Sequence, residues 1–82
     1  MTRIAKLYEQ LLSGRPVSFA ELERLLHAFG FTLDRTTGSH RIFRRAGIDP
    51  RVNIQPKGKH AKPYQVRQFL DIIEKYGLTM EE

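Results

Sequence analysis

Apolar residues near the N-terminus recur with a helical period. Ile4, Leu7, Tyr8, Leu11 and Leu12 fall at i, i+3, i+4, i+7 and i+8, which draws one apolar stripe along a helix over residues 2–13. Thr2 suits its N-cap, and Gly14 followed by Pro16 ends it. A second helix has a fuller start signal. Ser18 and Glu21 make an S-x-x-E capping box, and Val17 and Leu22 occupy the positions of a hydrophobic staple. Its buried face is Phe19, Leu22, Leu25, Leu26 and Phe29, and Gly30 suits the C′ position.

From residue 31 the period changes to alternation. Phe31, Leu33 and Arg35 alternate with Thr32 and Asp34, which predicts a short strand. Thr36-Thr37-Gly38 supplies turn chemistry, and Ser39 to Arg45 forms a second strand centred on Ile42 and Phe43. Gly47, Asp49 and Pro50 break the pattern, so Ala46 to Pro50 is expected as a loop. Val52 and Ile54, flanked by Asn53 and Gln55, make a third strand with one wet face. Pro56 to Lys62 is expected as a basic loop. Pro63 then fits the first position of a helix whose stripe is Val66, Phe69, Leu70, Ile73 and Tyr76, stopped by Gly77. Thr79 to Glu82 is a short acidic tail expected to fray.

The predicted order is α-α-β-β-β-α, an α+β fold. Short connections force three consecutive strands into an antiparallel meander, because parallel pairing needs long crossovers. The helices must then cover one face of that three-stranded sheet and leave the other open. A chain of 82 residues has room for one core, so residues 1–82 are read as a single domain. Within it, 2–13 is an extra N-terminal helix, 18–77 the core and 78–82 the tail.

Charge sharpens the picture because it is polarised. Between Arg35 and Arg67 nine Arg and Lys residues stand against Asp49 alone, a surplus of eight, while the remainder of the chain is negative by three. Such asymmetry is an electrostatic footprint for a polyanion; a solvated face kept for solubility is the alternative. The absence of cysteine excludes disulfides and thiolate metal sites. No apolar run reaches membrane-spanning length and no signal-peptide core is present. A cytoplasmic location, with no membrane partner, is therefore expected.

Three histidines are candidates for chemistry. His27 sits beside the Leu22–Leu26–Phe29 face and is expected as a boundary residue of its helix. His40 follows a Gly-Ser turn at the start of a strand, and His60 lies in the basic loop. Their spacings match no metal motif and no carboxylate cluster accompanies them, so no metal or other cofactor is expected. His40 has the chemistry for RNA cleavage. A ribose 2′-hydroxyl attacks its neighbouring phosphate once a base removes its proton, and histidine, with a reference pKa of about 6.5, does this near neutrality. Positioned acid–base help is worth roughly 10²–10⁴-fold in rate. Arg41, Lys57 and Lys59 are cations of the type that would stabilise the transition state. Taken alone, a strand-edge histidine is more often a surface residue.

The loop is the better stand-alone signal. Lys57, Lys59 and Lys62 gather at a helix N-terminus, where free N–H groups and the helix dipole already favour anions. Phosphate binding is the physical reading, and a flexible solvated loop is the alternative.

Three blocks then carry a resemblance: Gly38-Ser39-His40-Arg41-Ile42-Phe43, Gln55-Pro56-Lys57-Gly58, and Ala61-Lys62-Pro63-Tyr64-Gln65-Val66. In this spacing, from about Ser18 to Tyr76, the chain resembles HicA-family toxins of bacterial type II toxin–antitoxin pairs, in their variant with a longer N-terminus. The resemblance implies a double-stranded-RNA-binding-domain-like fold, cleavage of messenger RNA, and neutralisation by a HicB-type antitoxin that covers the active site. It implies that His40, the histidine of the Gly-Ser-His motif, is catalytic, and that Gly38 and Ser39 form the turn presenting it. Arg41 stands where many members place a second histidine, so the motif does not identify an acid partner for His40.

The expected function is a metal-independent endoribonuclease toxin. His40 is its acid/base, and Ser39, Arg41, Lys57, Lys59 and Lys62 contact RNA. A non-catalytic RNA-binding module would share the fold and the basic loop. A protein-interaction domain meeting an acidic partner would show no salt-dependent RNA affinity.

Overall fold

The computed structural model describes residues 3–80. Its elements are α1 (Arg3–Leu12), α2 (Phe19–Ala28), β1 (Thr32–Thr37), β2 (His40–Arg45), β3 (Ile48–Ile54), β4 (Pro56–Lys57), β5 (His60–Ala61) and α3 (Pro63–Tyr76). Strands β1, β2 and β3 form an antiparallel meander in that order, and β4 and β5 form a separate two-stranded ribbon. The fold is α+β, with three helices and a three-stranded antiparallel sheet in the order α-α-β-β-β-α. Its arrangement is compatible with a double-stranded-RNA-binding-domain-like core.

Local signals set the helix ends. Ser18 Oγ accepts the Glu21 N–H, and Glu21 returns a bond to the Ser18 N–H at 2.8 Å, which completes the capping box. At the far end Gly30, with φ 83, lets the Phe31 N–H reach the Leu26 carbonyl at 2.9 Å. This is a Schellman closure, and it delivers Phe31 directly into the core. Thr2, the expected cap of α1, lies outside the described residues.

The core joins Leu7 and Leu11 of α1, Leu22, Leu25 and Leu26 of α2, Phe43, Val52 and Ile54 of the sheet, and Phe69, Ile72 and Ile73 of α3. Phe29 and Phe31 each meet Phe69 edge to face, with ring centroids 5.7 and 6.0 Å apart. Such pairs add about 0.5–1.5 kcal/mol to simple burial.

Several boundaries differ from the sequence expectation. The first hairpin turn is Gly38-Ser39, so Thr36 and Thr37 belong to β1 and β2 begins at His40. The loop expected over Ala46–Pro50 is only the turn Ala46-Gly47. Pro50 lies within β3, which tolerates it because β3 is an edge strand and three residues, Asp49 to Arg51, face Arg44 alone. Leu33 is exposed although it pairs with Phe43, because α3 packs on β3 at the opposite edge and leaves β1 uncovered. The expected basic loop is the β4–β5 hairpin. On α3 the innermost face is Gln65, Phe69, Ile72 and Ile73, whereas Tyr76 is exposed, as is Leu12 on α1. The tail does not fray at its start: Leu78 and Met80 pack against the core, with the Leu78 N–H on the Ile73 carbonyl at 3.0 Å. Glu81 and Glu82 lie outside the described residues.

Candidate active site and nucleic-acid interface

His40 opens β2 directly after the Gly38-Ser39 turn. Gly38 has φ 60 and, among the described residues, no non-glycine has positive φ, the pattern of a type II′ hairpin turn, whose first central position favours glycine. This two-residue turn fixes the register, with Thr37 opposite His40. Alternation along β2 then puts His40 and Ile42 on the face away from the helices and Phe43 on the face toward them. Asn53, which pairs with Ile42, is the diagonal neighbour of His40 on that open face. The His40 Nδ1 and Asn53 Oδ1 are 3.1 Å apart.

The turn is tied to the rest of the site through Gln55. Its Nε2 donates to Ser39 Oγ at 3.3 Å, and its backbone N–H donates to Gln65 Oε1 at 2.6 Å. Gln65, the one buried polar residue among the described residues, thereby anchors the end of β3 to the first turn of α3. The Lys62 N–H meets the Gln55 carbonyl at 3.4 Å. Ser39, Gln55 and the start of α3 are thus one connected edge.

The three lysines project from a pinned element, not from a slack loop. Lys57 pairs with His60 across the Gly58-Lys59 turn. The Phe19 N–H donates to the Lys59 carbonyl at 3.0 Å, and Ser18 bridges to His60, so the hairpin is stitched to the start of α2. Lys62 is the N-cap of α3, with Pro63 next in the first turn, and its side chain caps nothing. Among the described residues no carboxylate forms an ion pair with Lys57, Lys59 or Lys62.

Other cations are already engaged. Arg41 lies on the opposite face from His40, with Nη1 2.6 Å from Glu23 Oε2 and its guanidinium 5.7 Å from the Phe19 ring centroid. Arg44 and Arg51 share Asp34, at 3.8 and 3.0 Å. Asp34 is the extra residue of a bulge between Leu33 and Arg35. The effective positive patch is therefore narrower than a charge count of the segment suggests. Arg35, exposed and paired with Ile42 on the His40 face, has no ion pair among the described residues.

His27 is exposed and meets Phe43 edge to face at 5.6 Å, as a helix-boundary residue would. Among the described residues no group of three or more His, Cys, Asp or Glu could hold a metal ion, and no helix is long and apolar enough to cross a membrane. A groove of about 1110 Å³ runs between α1 and α3, lined by Leu11, Val17, Val66 and Leu70, and reaches Lys57 and His60 but not His40. Asn53, Gln55 and Gln65 are polar residues that sequence reasoning did not select. Strand register was the only available signal for Asn53, and no periodicity marks a glutamine as buried.

The family model described as HicA toxin of bacterial toxin-antitoxin matches residues 19–78, from the first residue of α2 to just past α3. No curated protein and no solved structure matches the chain.

Proposed function

Because the chain belongs to the HicA family of toxins from bacterial toxin–antitoxin pairs, we propose that it is a metal-independent endoribonuclease that cleaves messenger RNA in the cytoplasm and is silenced by a HicB-type antitoxin. The observation that supports this best is the open sheet face. There a two-residue turn presents His40, half-buried and held by Asn53, and Gln55 ties that turn to the start of α3, where Lys62 is the N-cap.

His40 acts as the base. It takes the proton of a ribose 2′-hydroxyl as that oxygen bonds to the adjacent phosphorus. The bond from phosphorus to the 5′-oxygen breaks, leaving a 2′,3′-cyclic phosphate, and the departing oxygen takes a proton from solvent. Lys57, Lys59 and Lys62 hold neighbouring phosphates beside the N-terminus of α3, where the helix dipole adds to their charge. Ser39 lies next to His40 in the turn and orients the backbone of the scissile nucleotide. Arg41 contributes only once it leaves Glu23, so its expected share of RNA affinity is smaller than that of the lysines.

A non-catalytic RNA-binding module is the second reading. It is favoured by the lack, among the described residues, of any titratable side chain hydrogen-bonded to His40. Incubating the purified protein with a long RNA in EDTA separates the two. Cleavage to fragments ending in cyclic phosphate is expected, and intact RNA bound in a salt-dependent complex would favour the module.

A further inference from the structure

The contact between His40 Nδ1 and Asn53 Oδ1 at 3.1 Å constrains more than the position of the ring. An amide oxygen only accepts hydrogen bonds, so this contact is a bond only when Nδ1 carries the proton. Neutral imidazole has one N–H, and a proton held at Nδ1 leaves the lone pair on Nε2.

We propose that Asn53 is a positioning residue for the cleavage reaction, holding His40 in its Nδ1–H tautomer so that Nε2 is the nitrogen that accepts the 2′-hydroxyl proton. The inference rests on the reading of His40 as the base. The fold suits the role. Asn53 is flanked by Val52 and Ile54, both fully buried, so its backbone is fixed by the core. The β2–β3 register brings its side chain to the diagonal position beside His40. An amide also suits a site that must admit phosphate: it accepts the Nδ1 proton without adding a negative charge that would repel the substrate.

The tautomer is read directly by two-bond ¹H–¹⁵N correlation NMR on the uniformly labelled protein, titrated without RNA. In the wild type, neutral His40 is expected to show a protonated Nδ1 and a bare Nε2. Asn53→Leu should shift the ring toward the Nε2–H form that free imidazole side chains prefer. It should also lower kcat for RNA cleavage about tenfold, near the upper limit for one ordinary hydrogen bond, with KM unchanged. Asn53→Asp keeps an acceptor and should keep the tautomer. Its carboxylate favours imidazolium, so the rising limb of the pH–rate profile should move to higher pH.

Wild-type His40 in the Nε2–H form, with the amide nitrogen of Asn53 as donor, would overturn the proposal, as would an Asn53→Leu variant with an unchanged tautomer. The Nδ1–H signal together with full activity in His40→Ala would overturn the role in catalysis alone, so the two failures are distinguishable.

Discussion

Gln65 Oε1 accepts the backbone N–H of Gln55 at 2.6 Å, and this bond couples the end of β3 to the start of α3. Gln65 is 2% exposed, so water cannot replace it. Gln65→Leu keeps the volume roughly but leaves the Gln55 donor unsatisfied, which costs about 1–3 kcal/mol. In a domain of this size each kcal/mol lowers Tm by about 4–8 °C. The prediction is checked by thermal unfolding; an unchanged Tm would show that the bond contributes nothing.

Arg45 Nη1 donates to the Phe29 carbonyl at 2.7 Å, closing the C-terminal end of α2 with a positive charge. A cation there satisfies an orphan carbonyl and matches the helix dipole. Arg45→Met keeps the apolar stem and removes the donor, and should destabilise the fold by about 1–2 kcal/mol. Urea denaturation with an unchanged m-value is the check.

The basic hairpin should act on phosphates and not on bases. Replacing Lys57, Lys59 and Lys62 together by Ala should weaken binding to unrelated RNAs about equally. For every phosphate that is no longer neutralised, the slope of log affinity against log salt should become shallower by roughly 0.7–0.9. The side chains are exposed or half-buried and have no ion pair among the described residues, so stability should change by no more than about 0.5 kcal/mol each. A triple variant with the wild-type salt slope would contradict the assignment.

A toxin of a toxin–antitoxin pair must be held silent in the cell that makes it. The antitoxin is expected to bury His40 and part of the Arg41–Lys62 surface through complementary acidic groups. Its association rate should then fall as ionic strength rises, while most of the affinity survives in an apolar centre. His40→Ala should still bind, because one truncated side chain leaves most of an interface intact. Co-expression with the candidate antitoxin, pull-down and a cleavage assay test this; a stable complex that cleaves as fast as the free protein would contradict masking.

What could be read in the sequence was local. Ser18 with Glu21, and Gly30 after Phe29, are signals within one or two helical turns, and the structure repeats them bond for bond. The features that escaped depend on partners far along the chain. The Asp34 bulge is supported by Arg44 and Arg51 on other strands. The β4–β5 hairpin has two residues per strand and holds because α2 supplies the Phe19 N–H and the Ser18 bridge. The pairing of Arg41 with Glu23, eighteen positions earlier, belongs to the same class. The motifs themselves were legible, because Gly-Ser-His and the spaced lysines are contiguous, although the bounds of the turn and the hairpin form of the basic segment were not. The diagonal from His40 to Asn53 was not, because it requires the register of two strands.

His40 is the centre of the proposed chemistry, and the most direct measurement is RNA cleavage by purified His40→Ala beside the wild type, with growth arrest on expression as the cellular readout. His40 is the first residue of β2 and, among the described residues, its only side-chain bond is to Asn53, so folding should survive, with unfolding midpoints close to those of the wild type. The predicted result is a folded variant that still binds RNA, cleaves none of it and no longer arrests growth, while His27→Ala retains both activities. A folded His40→Ala protein that cleaves RNA and arrests growth at the wild-type rate would contradict the assignment of His40 as the catalytic base.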